Sequence, residues 1–417
     1  MAIKSLYIEN FKGIKDPTKI NIKPITLFIG KNSSGKSSCI HALTALSQTT
    51  KIQYNTKPLI LDDEYASIHL GRFIEVVHTK SYNDHIGLGI EIDNVRLILP
   101  DSNRRSPKKV SGEACFDFRC TKRTQDIYLS KATYKIDDFE YEANRKGSTY
   151  NYDMNYIAKN ISVNYTLEKG FMFDQHSIFL GFKEEYINFM PLHQLQLQIQ
   201  ESLQSVYYLG PFRQSPLRRY PTRGASPSEV GAQGEHTATL LANEAVQSRT
   251  RSHINQISQW LGTMGLAKKI DVGRIGSSDL FDLNISLPDD KKFPIADLGY
   301  GVSQILPVLT QCSFANNGST LLFEQPELHL HPESAKMLSD VFIETIKRKN
   351  CTILVETHSL ELLTRLQGLI RDEQIPSSSV AAYLVTRDNH KTNIRQIDID
   401  ENGENYDVNW RKNLTGE

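Results

Sequence analysis

The chain opens on an alternation of apolar and polar positions. Leu6 and Ile8, then the run Ile25 to Ile29, stand around a polar turn and predict two strands over residues 3 to 29. A Gly-rich loop at 30 to 35 follows. Beyond it Ile40, Leu43 and Leu46 recur at helical spacing, so a helix is expected to start near Lys36. From 70 to 170 the texture changes. Short apolar runs such as Val95-Arg96-Leu97-Ile98-Leu99 and Ile161-Ser162-Val163-Asn164-Tyr165 are separated by polar turns such as 101 to 109, which reads as an antiparallel, meander-like sheet. Asn188 to Ser205 reads as a Gln-rich helix. Residues 213 to 236, rich in Gly, Pro, Ser and Arg, read as a long functional loop, because structureless loops of that length inside compact domains are usually functional. Helices return from 236 to 262, and 296 to 366 run helix, strand, helix, strand, helix, as in a layered α/β core. No heptad pattern is sustained, so long coiled-coil arms are not expected.

Composition narrows the class. The 417 residues suggest two or three structural units, and 48 basic against 48 acidic residues leave a formal net charge of zero. That balance argues against nonspecific coating of DNA or membrane, while leaving room for a local basic patch. The five cysteines (Cys39, Cys115, Cys120, Cys312 and Cys351) are odd in number and contain no CxxC pair, which fits reduced thiols and a cytoplasmic location. The start, MAIKSLYIENF, alternates like a strand and has no apolar signal core. No run of about 18 apolar residues occurs, so no membrane span is expected.

Gly30-Lys31-Asn32-Ser33-Ser34-Gly35-Lys36-Ser37 matches the phosphate-loop pattern GxxxxGK[ST], between a predicted strand and a predicted helix. Its glycines let successive backbone N–H groups curl round phosphates, Lys36 supplies a point charge, the Ser37 hydroxyl is a Mg²⁺ ligand, and the helix N-terminus adds its dipole. The loop predicts ATP and Mg²⁺ as cofactors, with Gly30, Asn32, Ser33, Ser34, Gly35, Lys36, Ser37 and Ser38 at the nucleotide.

Four further segments follow in order: Asp297 to Gln304 (DLGYGVSQ) opening an apolar helix, Ser319 to Glu327 (STLLFEQPE) as a strand ending in acids, Leu328 to Pro332 (LHLHP), and Ile353 to Ser359 (ILVETHS) as a strand ending in a polar triplet. Singly, each has an ordinary structural explanation. His329 and His331, for instance, read either as a metal pair or as packed, hydrogen-bonded histidines. In this order behind a phosphate loop they are specific. Over residues 1 to 50 and 205 to 385 the chain resembles ABC-type AAA family ATPases of the SMC, RecF and OLD kind, and among them ATPase subunits of bacterial anti-phage defence operons, Septu-like, whose motif EQPELHLHP resembles. The fold expected is α/β, an ABC-ATPase-like nucleotide-binding core with an antiparallel β-rich lobe and a helical insertion. Residues 1–70 would form the first half of the core, 71–205 the β-rich lobe and insertion, and 206–417 the second half.

The resemblance assigns roles. Asn10-Phe11-Lys12 is similar to the family's NF[KR] strand, with Lys12 near the phosphates. Leu298 to Gln304 resembles the signature, presenting Gly299, Gly301 and Ser303 to the γ-phosphate across a dimer interface. Glu324 stands at the Walker B acid, a metal ligand through water, and His358 at the switch histidine. Gln48 is a weaker candidate for the Q-loop. Two departures matter. Glycine replaces serine at the first signature position, with Ser303 a candidate for the hydroxyl role. Gln325 stands where the catalytic glutamate usually stands, and an amide is no general base. Gln325 can orient water, and Glu327 is the candidate base, so slow hydrolysis is expected.

Arg213, Arg218, Arg219 and Arg223 lie around Tyr220 in a loop that reads either as a phosphate or nucleic-acid grip or as a solvated basic loop. Arg104, Arg105, Lys108 and Lys109 read as an exposed turn, and His69 and His78 as structural. The function expected is an ATP-gated switch that dimerises head-to-tail around Mg·ATP, or forms a higher homo-oligomer, and controls a separate nuclease-like effector in defence, with DNA a possible contact. A RecF-like DNA-binding repair clamp and a nearly inactive nucleotide-bound scaffold are the alternatives. A self-contained OLD-type nuclease is disfavoured, because about 50 residues after 366 are too few for such a domain.

Overall fold

The computed structural model describes residues 2–52, 57–98, 107–147, 152–158, 161–166, 190–221, 227–276 and 279–405. The chain forms two compact units and passes back and forth between them. The first takes Met1–Ile22, Ser33–Val206 and Thr386–Asn393; the second takes Lys23–Asn32, Tyr207–Val385 and Ile394–Glu417. The division into 1–70, 71–205 and 206–417 follows chain order, whereas these units do not, because the strand Ile25–Ile29 pairs with strands near the other end of the chain.

The first unit is built on an eight-stranded sheet, in the order Thr18–Asn21, Ile3–Glu9, Ile86–Leu97, Lys108–Cys120, Ile127–Ile136, Phe139–Arg145, Tyr152–Ala158, Ile161–Thr166. Its strands pair antiparallel, and from Ile86 onward it is the meander expected over 70 to 170. In Lys108–Cys120 every second residue, Ala114, Phe116, Phe118 and Cys120, is buried while its neighbours are half-exposed, the period-two signature of a sheet with one covered face. Phe116 and Tyr134 meet edge-on at 5.8 Å on that face. The helix Met190–Gln204 buries Leu192, Leu195, Ile199 and Leu203, spaced three to four apart. Its glutamines have a second task. Gln194 and Gln198 accept from the Ile98 and Arg96 N–H groups at 2.7 Å each and donate back to the carbonyls of the same two residues, completing a strand end with side-chain amides. The helix Lys36–Lys51 fully buries Ile40, Leu43 and Leu46, and Ser47 Oγ donates to Leu203 O at 2.7 Å.

The second unit is built on a six-stranded sheet, in the order Val206–Leu209, Thr320–Glu324, Thr352–Thr357, Ile25–Ile29, Val380–Asp388, Lys391–Ile397. Its central pairings are parallel. Residues 25–29, 320–324 and 352–357 are buried without alternation, as parallel strands covered on both faces are. The register sets Glu324 beside Glu356 and Thr357 beside Ile29, so the carboxyl ends of three strands come level at one edge. The helices Tyr300–Phe314, Pro332–Lys349 and Leu360–Arg371 contribute to the same core, as do Thr237–Gln247 and Ser252–Thr263. The strands Lys269–Arg274, Leu280–Ser286 and Lys292–Pro294 form a small antiparallel sheet that the sequence did not lead us to expect, joined by Tyr220–Pro221 from the stretch 213 to 236 read as a loop. No helix among the described residues is long and apolar enough to cross a membrane.

Candidate functional site

The phosphate loop leaves the strand Ile25–Ile29 and enters the helix at Lys36. Ser33 at φ 61° and Gly35 at φ 102° turn the backbone into left-handed conformations, the second of which requires glycine in practice. Gly35 is also hemmed in, since a Cβ there would stand 2.2 Å from Thr392 Oγ1. Lys31, Asn32 and Ser33 are exposed, Ser37 is half-buried, and Ser34, Lys36 and Ser38 are buried. The Ser34 hydroxyl is out of solvent contact with no hydrogen-bond partner among the described residues, so the loop retains a donor for a ligand.

Within the first unit, two segments brace this loop. Thr392 donates its hydroxyl to Ser34 O at 3.1 Å and its N–H to Gly13 O at 2.7 Å, and Arg387 Nη1 donates to Ser33 O at 3.4 Å. The turn Asn10-Phe11-Lys12-Gly13-Ile14 is closed by Phe11 and Ile14 exchanging backbone hydrogen bonds at 2.8 and 2.9 Å. Asn10 and Lys12 are left-handed, at φ 52° and 51°. Lys12 Nζ lies 2.6 Å from His41 Nδ1 on the phosphate-loop helix, and His78 Nδ1 meets Lys12 O at 2.8 Å. His78 is structural in this sense, because it fixes the turn that carries Lys12.

Within the second unit, the level strand ends form a polar edge. Glu324, buried, accepts from the Tyr208 hydroxyl at 2.9 Å, and burial pushes the Tyr208 phenol far up from its ordinary pKa. Gln325 follows at φ 45°, with its N–H on Glu356 O at 2.8 Å. Glu327 Oε1 accepts from Thr357 Oγ1 at 2.5 Å and from the His358 N–H at 3.2 Å, so it ties the turn after one strand to the end of the next. Burial raises the Glu327 carboxyl above the usual carboxylate range, against hydrogen bonds that lower it. The next helix begins only at Pro332, with His331 as its N-cap, so Glu327 caps no helix. Arg213 Nη2 donates to Glu324 O at 3.2 Å and Gln325 O at 3.3 Å, and burial lowers this guanidinium to about 10.

The signature segment starts the helix Tyr300–Phe314, with Gly299 at its N-cap. Gly299 and Tyr300 are exposed, and the Tyr300 ring lies 5.8 Å from that of His329. A Cβ on Gly301 would meet His329 O at 3.4 Å, so the helix start passes close to the loop after Glu327.

Residues 1–209 and 229–363 match the AAA ATPase domain family. The chain belongs to that family. Membership implies nucleotide binding. The chain is 27% identical over 135 residues to the OLD nuclease of Thermus scotoductus, an alignment covering 30% of this chain and 25% of that protein. The chain thus matches about a quarter of the relative's length. Solved structures with a similar arrangement include the SMC head domain from Thermotoga maritima (10% identity, 96% of this chain and 100% of that one, TM-score 0.39). A second is an Smc head bound to the C-winged helix domain of ScpA (10% identity, 96% and 99% covered, TM-score 0.46).

Several side chains in this AAA ATPase domain do something other than what their position in the sequence suggested. Ser303 is buried and donates its hydroxyl to Tyr300 O at 3.0 Å, within its own helix, instead of presenting it outward. Arg213 belongs to the buried strand edge and not to the surface of the basic loop. Arg218 is paired bidentately with Asp297, at 2.9 and 2.5 Å, next to the signature. Arg219 is exposed, and Arg223 lies outside the described residues, as do Arg104 and Arg105. Gln48 is buried and bonds Ile60 O and the Ile68 N–H, holding a loop of the first unit. His329 and His331 serve as ring partner and helix cap, and no cluster of three metal-ligating side chains occurs among the described residues. Tyr208, Thr357 and Thr392 had not been singled out. Tyr208 carried a local signal as an aromatic at the end of an apolar run, and Thr357 as the first member of a polar triplet; Thr392 carried none.

Proposed function

We propose that the chain is an ATP-binding, slowly hydrolysing switch subunit that closes head-to-tail on a second copy around Mg·ATP and controls a separate effector, a nuclease in anti-phage defence. The observation that carries the reading lies in the second unit. One sheet edge holds the start of the phosphate loop after Ile29, the acid Glu324, and His358 beyond Thr357, all in register. The residues fit the cofactor. Gly30 to Ser38 and Lys12 would hold the phosphates, and Ser37 and Glu324 the magnesium, which when bound neutralises charge on the transferred phosphoryl group. Gln325 lacks basicity, so we assign Glu327, whose carboxyl burial raises, to take a proton from water. Gly299 and Gly301 at a helix start supply backbone N–H groups for the partner's γ-phosphate.

The reading is tested by mixing. Lys36→Ala and Gly301→Asp proteins, each inactive alone, should recover hydrolysis together, because one composite site of the mixed dimer keeps both halves. No recovery, with mixing shown by differential tagging, rejects closure in trans. The engagement of Arg218 with Asp297 and the burial of Arg213 weaken the rival reading of a DNA clamp.

A further inference from the structure

Arg213 is the buried cation of the second unit's polar edge, with 7% of its surface exposed. Among the described residues its hydrogen bonds run from Nη2 to the carbonyl oxygens of Glu324 and Gln325. Nε and Nη1 are out of solvent contact with no hydrogen-bond partner among the described residues. The same is true of Glu327 Oε2. A buried guanidinium with unmet donors and a buried carboxylate with an unmet acceptor are each unfavourable alone. Arg213 is bonded to the carbonyls of Glu324 and Gln325, and Glu327 follows two residues on in the same turn, where its charge opposes the lowering of the Arg213 pKa by burial. The two carbonyls that Arg213 grips belong to the turn between Glu324 and Glu327, in which Gln325 takes a left-handed φ of 45°. A non-glycine residue in that region persists only when its surroundings hold it there.

Resting on the ATPase reading, we propose that Arg213 is a positioning residue for hydrolysis: it fixes the Glu324–Gln325 turn through its carbonyls and supplies the counter-charge that holds Glu327 as a working carboxylate. It acts through Gln325 and Glu327 and touches no phosphate. The planar guanidinium suits this role, since one nitrogen spans two neighbouring carbonyls and two buried donors remain unmet beside them. Lysine offers a single point charge and satisfies only part of the same arrangement.

The test is a double-mutant cycle on the full chain, using Arg213→Met, Arg213→Lys, Glu327→Gln and the Arg213→Met/Glu327→Gln double variant. Single-turnover ATP hydrolysis and ATP affinity are measured on each. Arg213→Met is expected to slow hydrolysis by about 10²-fold, the effect of misplacing a reacting group by an ångström, with ATP affinity unchanged. Arg213→Lys should recover part of that loss. In the Glu327→Gln background the Arg213 substitution should have little further effect. An equal loss in both backgrounds overturns the proposal, as does a fall in ATP affinity parallel to the rate, which would make Arg213 a phosphate ligand. If the wild-type chain binds ATP but does not hydrolyse it, the ATPase reading fails, and the same cycle is then read in thermal unfolding without nucleotide. There Arg213→Met alone should lower the midpoint more than the double variant does, because it leaves a buried carboxylate without its counter-charge. Strictly additive midpoints overturn the coupling.

Discussion

The phosphate loop and the polar edge of the second unit solve different problems with different materials. From Ser33 to Ser38 the loop is made of small residues apart from Lys36, and its backbone is turned by left-handed conformations at Ser33 and Gly35. Its shape is held from outside, by Thr392 and Arg387 donating to its carbonyls. The edge beyond Glu324 is made of ionisable side chains buried against one another: Glu324 under Tyr208, Glu327 on Thr357 and His358, Arg213 on two carbonyls. A loop of backbone donors binds by geometry and is indifferent to pH. An edge of buried charges is tuned by desolvation and is sensitive to any change of charge. Substitutions should therefore separate affinity from rate.

The largest effect is expected at the edge. Glu327→Gln should lower single-turnover hydrolysis by about 10²–10⁴-fold, the usual worth of general-base assistance, with ATP affinity intact. A normal rate would leave Glu327 as a tie between strand ends. Next, Lys36→Ala should weaken ATP binding on the order of 10–100-fold in calorimetry, the equivalent of one charge-assisted hydrogen bond. Unchanged affinity would remove the loop from the site. Thr392→Val, which keeps the volume and removes the hydroxyl, should weaken ATP binding by about 3–10-fold at unchanged single-turnover rate, while Thr392→Ser leaves both alone. A rate effect from Thr392→Val would erase the separation between the two regions.

The smallest effect concerns pH. Because burial raises the Glu327 carboxyl, the folded chain holds its proton to higher pH than the unfolded chain does. Its ionisation therefore subtracts stability as pH rises from the ordinary value of 4.5 through the raised one. The thermal midpoint of Glu327→Gln, compared with wild type, should accordingly gain with rising pH over that window. A difference that stays flat would mean the carboxyl is not perturbed.

The phosphate loop was legible in the sequence because its chemistry is local: eight consecutive residues carry the turns, the charge and the hydroxyl. The parallel strands ending at Glu324 and Thr357 were legible for the same reason, as uninterrupted apolar runs closed by polar residues. Arg213 was not. In a stretch of four arginines nothing local distinguishes a guanidinium turned toward solvent from one seated on carbonyls 111 and 112 residues away. Ser303 misled for a related reason, since a hydroxyl inside a helix can bond its own preceding turn. The glutamines of Met190–Gln204 announced a helix but not their use as a strand's missing partner, and the strands Lys269–Arg274 and Leu280–Ser286 alternate apolar with polar residues, a weaker signal than an uninterrupted apolar run.

The contact between Thr392 and Ser34 also sets a clock. The two residues lie 358 positions apart, so at ribosomal rates the loop waits roughly 20–70 s for the threonine that braces it. The strand Ile25–Ile29 waits almost as long, because its partners lie at 353–357 and 380–384. For that interval a five-residue strand, apolar except for Thr26, has neither neighbour, an open edge of the kind that other chains can pair with. The phosphate loop is therefore complete as sequence long before it is braced as structure, and in that interval its strand offers an unpaired edge.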